Sequence, residues 1–418
     1  MSAILVTGGS PLGGTVRASG AKNSALKLMA AALLAPGRSV VHNVPDITDV
    51  SVMAEVLRHL GTVVERDGET LTVDATEITS LEAPYELVAQ MRASIIVLGP
   101  LIARFGSARV AMPGGCNIGS RRIDMHLRGL EQLGVEVIFE HGFIEAHAPG
   151  GLAGADVILD FPSVGATENL LMAAVLARGT TVIDNAAREP EIGDLVDMLR
   201  AMGASIEGRG SSTLTVHGVS ELRPAEHTTV GDRIEAGTFL VAGAITGGEV
   251  TVTGFDPAHL EMTLSKMRTA GCTFDIHADG ATVRRTGPIA AVDVATLPFP
   301  GFPTDMQPQF MALMSIAGGS CVITENVYES RFMFADELKR MGADIDIEGH
   351  RAFVRGVTRL EGAPVRSPDL RGGAALVLAG LVAEGETRVT DVHHIMRGYE
   401  SFTEKLLSLG ASVRVVED

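Results

Sequence analysis

A glycine recurs along this chain at a near-constant interval, each time after a short amphipathic run and before residues of strand character. The six positions are Gly61 (HLGTVVE), Gly134 (QLGVEVI), Gly203 (AMGASIE), Gly271 (TAGCTFD), Gly342 (RMGADID) and Gly410 (SLGASVR), spaced by 73, 69, 68, 71 and 68 residues. A period of this length means that one supersecondary unit is used repeatedly, which constrains the fold more than any local propensity. Six units of about 70 residues account for the whole chain of 418.

The order of elements inside each unit also recurs. A strand follows a loop or glycine pair, as in GRSVVHNVP, GTTVIDNAA, GEVTVTGFD, GSCVITENV and GETRVTDVH. An amphipathic helix comes next, such as ITDVSVMAEVLRHL or IGDLVDMLRAM, apolar at i, i+3, i+4 and i+7. The recurrent glycine then stands at the helix C′ position, where the backbone must reach positive φ. Two alternating strands follow, for example ASIEGR and TLTVHG. Last comes a far more apolar helix: NSALKLMAAALLA, ATENLLMAAVLA, RIEAGTFLVAGAI or LRGGAALVLAGLVA. Helices that are apolar nearly all round are buried. The pattern predicts buried helices bundled inside and sheets outside, in two groups of three units.

The buried helices start at Lys22-Asn23, Ser163 to Thr167, Asp232-Arg233, Asp305 to Gln307 and Asp369 to Arg371. Convergent helix N-termini would form an anion site, because their free N–H groups and dipoles point the same way. Ser, Asp and Asn at such starts are equally suited to ordinary capping. Lys22 is different. A cation against the positive end of a helix is unfavourable unless an anion joins it.

Charge limits the partners. The net charge of −17 argues against a sequence-independent nucleic-acid binder, which needs a basic face. A local group of arginines can still oppose the global sign and take a small anion. The longest charge-free apolar run, Ala93 to Ala103, is far below the roughly 18 residues of a membrane helix, so no membrane insertion is expected. The start MSAILVTGGSPLGG lacks the basic and apolar regions of a signal peptide. Three scattered cysteines make no disulfide framework, and the chain reads as a soluble cytoplasmic protein. Cys272 and Cys321 sit in apolar strand patterns as packing residues, whereas Cys116 lies in the glycine-rich, electropositive loop PGGCNIGSRR, where a thiol is more reactive. Adjacent His393 and His394, without an HExxH or CxxC pair, give metal ligation little support.

Several segments carry a family likeness. They include SGAKNSALKLMAAALLA (19–35), MRASIIVLGPLIARFG (91–106), MPGGCNIGSRRIDMH (112–126), FPSVGAT (161–167) and NAAREPEI (185–192). GDRIEAGTF (231–239), FPTDMQPQF (302–310), ENVYESRF (325–332), DLRGGAALVLAG (369–380) and RGYE (397–400) complete the set. End to end, the chain resembles the UDP-N-acetylglucosamine enolpyruvyl transferases. The resemblance implies an α/β fold, the inverted α/β barrel of six repeats in two globular domains of three. The first domain would span 21–230 and the second 1–20 plus 231–418, with the active site in the cleft between them.

The same resemblance implies transfer of the enolpyruvyl group of phosphoenolpyruvate to the 3-hydroxyl of UDP-N-acetylglucosamine, with release of phosphate and no cofactor. Cys116 would protonate the methylene carbon and be the target of the epoxide fosfomycin. Asp305 would accept the hydroxyl proton. Lys22, Asn23, Arg121, Arg371 and Arg397 would hold phosphoenolpyruvate, with Lys22 counted among the catalytic groups. Arg92, Arg121, Arg122, Ile123, Asp124, Met125, Ser163, Val164, Gly165, Asp305, Val327 and Arg331 would hold the UDP-sugar. Planar guanidinium forks suit phosphate and carboxylate oxygens, and backbone amides of SVGAT can cradle phosphate.

The sequence departs from the family pattern in places. Arg122 stands where proline is usual, Met396 where aspartate is usual, and Thr48 and Phe161 where some members have lysine. These leave open a related transferase with another nucleotide acceptor, or a silent UDP-sugar binder. Joint retention of Cys116, Asp305 and Lys22 weighs against the silent binder, which needs neither acid nor base.

Overall fold

The computed structural model describes residues 2–112 and 123–417, which fall into two compact units. One comprises 20–112 and 123–230; the other comprises 2–19 and 231–417. Each has its own hydrophobic core.

In the unit of 20–230 the inner layer is formed by the helices Lys22–Ala31, Leu98–Phe105 and Val164–Ala174. In the other unit the inner helices are Arg233–Thr246, Gln307–Met314 and Leu370–Gly380, and all three touch one another. They are buried along nearly their whole length, as helices without a polar face must be. Small residues let them approach closely: a Cβ on Gly99 would stand 2.5 Å from the carbonyl oxygen of Asn169 on the neighbouring inner helix.

The outer helices are Thr48–His59, Asp124–Gln132, Pro190–Ala201, Glu261–Thr269, Ala335–Arg340 and Phe402–Ser408. The period-70 glycines follow each of them, and all six have φ between 90° and 108°. An L side chain rarely adopts that conformation, which is why glycine recurs there.

Among the described residues, six four-stranded sheets share one topology, an edge strand parallel to its neighbour and then two antiparallel pairings. Arg38–His42, for instance, pairs parallel with Glu226–Thr228 and antiparallel with Thr70–Asp74, which pairs with Val63–Asp67. Burial alternates along the strands, one face on the helices and one toward solvent. The repeats are not completed in strict chain order. Ser2–Thr7 lies between Glu386–Thr390 and Ser412–Glu417, and Gly13–Arg17 edges the sheet of Glu249–Thr253. Thus the first strands of the chain finish sheets of its fourth and sixth repeats, not of its first.

Candidate active site

In the unit of 2–19 and 231–417, Asp305 sits in the 3₁₀ turn Thr304–Met306 that leads into an inner helix. The N-cap position of that turn is Pro303, so Asp305 is not its capping residue. Instead its Oδ1 accepts from Arg331 Nη2 at 3.0 Å and its Oδ2 from Arg371 Nη2 at 3.2 Å and Nε at 3.3 Å. Both arginines are buried, while Asp305 keeps 24% of its side chain exposed. Arg331 Nε and Nη1 and Arg371 Nη1 are buried without a hydrogen-bond partner. Guanidinium donors left over after Asp305 is bound are what a further anion can take.

Arg371 is oriented from two sides. Asp369 caps its helix, Oδ1 accepting from the N–H groups of Arg371 at 2.9 Å and Gly372 at 3.0 Å. The guanidinium carbon lies 5.0 Å from the centre of the Tyr399 ring. Burial works against its charged form, yet Tyr399, Asp305 and Asp232 together raise the Arg371 pKa above its ordinary value. The Tyr399 hydroxyl is 2.9 Å from Thr238 Oγ1 and accepts from Gln309 Nε2 at 3.1 Å, so it joins two inner helices beside Arg371. Arg397 ends the short helix His393–Met396, half-buried, and Val327 is half-buried in the loop after strand Ser320–Thr324.

In the unit of 20–230, Lys22 is the first residue of an inner helix, and its Nζ lies 2.7 Å from Asp49 Oδ2. The buried carboxylate of Asp49 is thus an anion that this helix start requires. Asn23 next to it is exposed. Ser163 caps the helix Val164–Ala174, its Oγ accepting from the Ala166 N–H at 3.3 Å, and Val164 and Gly165 are half-buried. Ile123, Asp124 and Met125 form the half-buried start of an outer helix. Arg92, also half-buried, opens the 3₁₀ segment Arg92–Val97. His126 packs against the start of helix Val164–Ala174, since a Cβ on Gly165 would stand 3.0 Å from its Cε1. Burial and the Arg92 charge push the His126 pKa down to about 4, and its Nδ1 lies 2.8 Å from Asn169 Nδ2. It is therefore neutral at physiological pH.

Cys116, Arg121 and Arg122 lie outside the described residues. Cys272 and Cys321 are buried, and burial pushes both thiols up to about 11, which suits packing and not nucleophilic chemistry. Among the described residues no cluster of three His, Cys, Asp or Glu could hold a metal ion, and no helix is long and apolar enough to cross a membrane.

The family described as EPSP synthase (3-phosphoshikimate 1-carboxyvinyltransferase) matches residues 6–406. This chain belongs to that family of enolpyruvyl transferases. The transferase is 56% identical to the UDP-N-acetylglucosamine 1-carboxyvinyltransferase of Corynebacterium jeikeium, covering 99% of both chains. It is 53% identical to the enzyme of the same name from Desulfatibacillum aliphaticivorans, over the full length of both. Among solved structures, the enolpyruvyl transferase NikO from Streptomyces tendae is similar with a TM-score of 0.90 at 30% identity, covering 99% of each chain. An EPSP synthase from Acinetobacter baumannii, 18% identical with a TM-score of 0.76 over the whole of both chains, shares the fold. That fold is the inverted α/β barrel.

Three groups around the transferase's expected residues were not singled out from sequence: Asp49, His126 and Tyr399. Asp49 has the look of an acidic residue in a helix's first turn, and only its approach to Lys22 distinguishes it. Tyr399 lies within RGYE, so the motif marked the segment but not the residue.

Proposed function

We propose that the chain transfers the enolpyruvyl group of phosphoenolpyruvate to the 3-hydroxyl of UDP-N-acetylglucosamine and releases phosphate, the first committed step of peptidoglycan synthesis. The observation that carries this reading is full-length identity above one half to relatives bearing that activity in their name. The reaction adds the sugar O–H across the C=C bond, forming the C2–O bond and protonating the methylene carbon. It then breaks the C2–O bond to phosphate and removes a proton from the new methyl group, restoring the double bond.

We assign the methylene proton to Cys116 and acceptance of the hydroxyl proton to Asp305. Lys22 and Arg121 would hold the phosphate end of phosphoenolpyruvate and Arg371 and Arg397 its carboxylate, with Asn23 also at this substrate. The UDP-sugar would lie on Arg92, Arg121 to Met125, Ser163 to Gly165, Val327 and Arg331. When the phosphoenolpyruvate carboxylate draws on Arg371, it shares that guanidinium with Asp305. Lys22 is likewise screened by Asp49, so an incoming phosphate shares the lysine with a carboxylate. The absence of disulfide-like cysteine spacing supports a cytoplasmic setting.

The test mixes protein, phosphoenolpyruvate and candidate acceptors, following phosphate release and product mass. Turnover with UDP-N-acetylglucosamine is expected. Release only with another nucleotide would overturn the acceptor, the outcome that Arg122, Met396, Thr48 and Phe161 make worth including. Silence with intact UDP-sugar binding would mean a non-catalytic binder. Cys116→Ser is expected to lose most turnover while keeping UDP-sugar affinity; equal loss of both would make Cys116 structural.

A further inference from the structure

We infer that Glu325 is a positioning residue of the transfer reaction, its buried carboxylate holding Asp305 and the Val327–Arg331 loop in one geometry for the sugar acceptor. The inference rests on the proposed reaction and on the acceptor-side roles given above to Asp305, Val327 and Arg331.

Glu325 is the first residue after strand Ser320–Thr324 and is almost wholly buried. Its Oε1 accepts from the Thr296 hydroxyl at 2.7 Å and from the backbone N–H groups of Val327 at 2.8 Å and Tyr328 at 3.1 Å. Its Oε2 accepts from the Thr304 hydroxyl at 2.9 Å. Three separate chain segments therefore meet on one carboxylate. Thr304 is the residue before Asp305, and Val327 and Tyr328 open the loop that ends in Arg331. Thr296 reinforces the junction, its Oγ1 accepting from the Asn326 N–H at 2.9 Å.

Taking a carboxylate out of water is unfavourable unless donors replace the lost hydration, and four do so here. A packed apolar side chain would join the same segments without that desolvation penalty. What an apolar residue lacks is direction. Each of the four bonds sets an orientation, so the carboxylate fixes the register of the Asp305 turn against the Val327 loop. Burial works against the Arg331 charge, and Asp305, Asp369, Tyr328 and then Glu325 favour it. Arg331 in turn holds Asp305 Oδ1. Glu325 thus reaches Asp305 twice, through Thr304 along the chain and through Arg331 across space.

Substitutions separate this role from packing. In Glu325→Gln the amide oxygen can still accept from Thr296, Val327 and Tyr328, and the Thr304 hydroxyl can turn to accept from the amide nitrogen. Glu325→Ala removes every bond. Thr304→Val cuts only the arm toward Asp305. The experiment measures kcat, the KM of each substrate and the melting temperature for the full chain and these three variants, using phosphoenolpyruvate and UDP-N-acetylglucosamine.

An inactive parent chain would defeat the proposed reaction itself, so the comparison is made only against measurable parent turnover. Glu325→Ala is expected to lose about a hundredfold in kcat/KM for the UDP-sugar, the scale of a misplacement near 1 Å, with the KM for phosphoenolpyruvate little changed. Glu325→Gln is expected to recover most of that loss. Thr304→Val is expected to lower kcat by roughly tenfold with the UDP-sugar KM near the parent value. The inference is overturned if Glu325→Ala keeps parent kinetics, if both KM values rise equally, or if Gln does no better than Ala. If the Ala variant fails to fold, Thr304→Val decides alone: parent kcat in that variant would overturn it.

Discussion

Each unit buries a charge cluster among its inner helices, and the two are built differently. In the unit of 20–230, Lys27 Nζ lies 2.8 Å from Glu168 Oε1, tying the inner helix Lys22–Ala31 to the inner helix Val164–Ala174. Neither side chain is more than 7% exposed. In the other unit, Arg331 and Arg371 converge on Asp305, which stays partly open while the arginines keep buried donors unbonded. The first cluster is a buried ion pair, closed to solvent, with Glu191 and Glu189 adding negative charge near Glu168. The second has more donor capacity than its carboxylate can use. Burial of charge is therefore no mark of a site by itself; surplus donors beside an accessible carboxylate are.

That contrast can be broken experimentally. The largest effect is expected from Lys27→Met, which strands Glu168 in the core and should cost about 3–5 kcal/mol in denaturant unfolding. Adding Glu168→Leu should restore most of it, because a packed apolar pair replaces a closed ion pair well. Turnover per folded molecule should not change in the double variant, and a large loss would show that the cluster is not merely structural.

Arg371→Ala should remove about 10²–10³-fold from kcat/KM, the loss typical of one preorganised donor to a reacting charge. Arg371→Lys should recover little, since an ammonium cannot reproduce the planar fork. Recovery by lysine would mean that only net charge matters at Asp305.

Another buried carboxylate tests the closed type by pH. Glu235 accepts from Lys405 Nζ at 2.6 Å and from the Ser19 N–H at 2.8 Å. Burial nevertheless pushes its pKa up to about 7, with Lys405 opposing. A folded-state pKa above the unfolded value of 4.5 means that the folded chain holds this proton more tightly. Its stabilising contribution is complete below pH 4.5 and is lost as pH rises through 7. Melting scans should show the parent losing about 3 kcal/mol relative to Glu235→Gln across that window. A difference that does not vary with pH would mean that folding leaves the Glu235 proton affinity where it is in the unfolded chain.

The smallest effect is expected at the exposed pair Arg38–Glu65, 2.9 Å apart with both side chains about 60% exposed. Arg38→Ala should change stability by less than about 1 kcal/mol, weaker still in high salt.

Much of the fold was readable along the chain. The helix-ending glycines, the apolar inner helices and the alternating strands are local patterns, and the structure places each where its pattern requires. The helix caps at Ser163, Asp232 and Asp369 were equally legible, being side-chain bonds to backbone two or three residues away. Asp305 was not. Read locally it was as good a cap as Asp369, and nothing nearby in sequence announced Arg331 and Arg371 as its partners. Glu325 escaped notice because its four donors come from three segments.

By itself, then, the sequence determined the period, the order of elements and which helices are buried, since these follow from side-chain spacing within a few turns. It also determined the family, through motifs spread over the whole length. Only the tertiary structure decided that Asp49 answers Lys22, that Asp305 is held by two arginines, and that Thr7 pairs with Ser412. Electrostatic and hydrogen-bonding energies depend on distance in space, and distance along the chain carries no record of it.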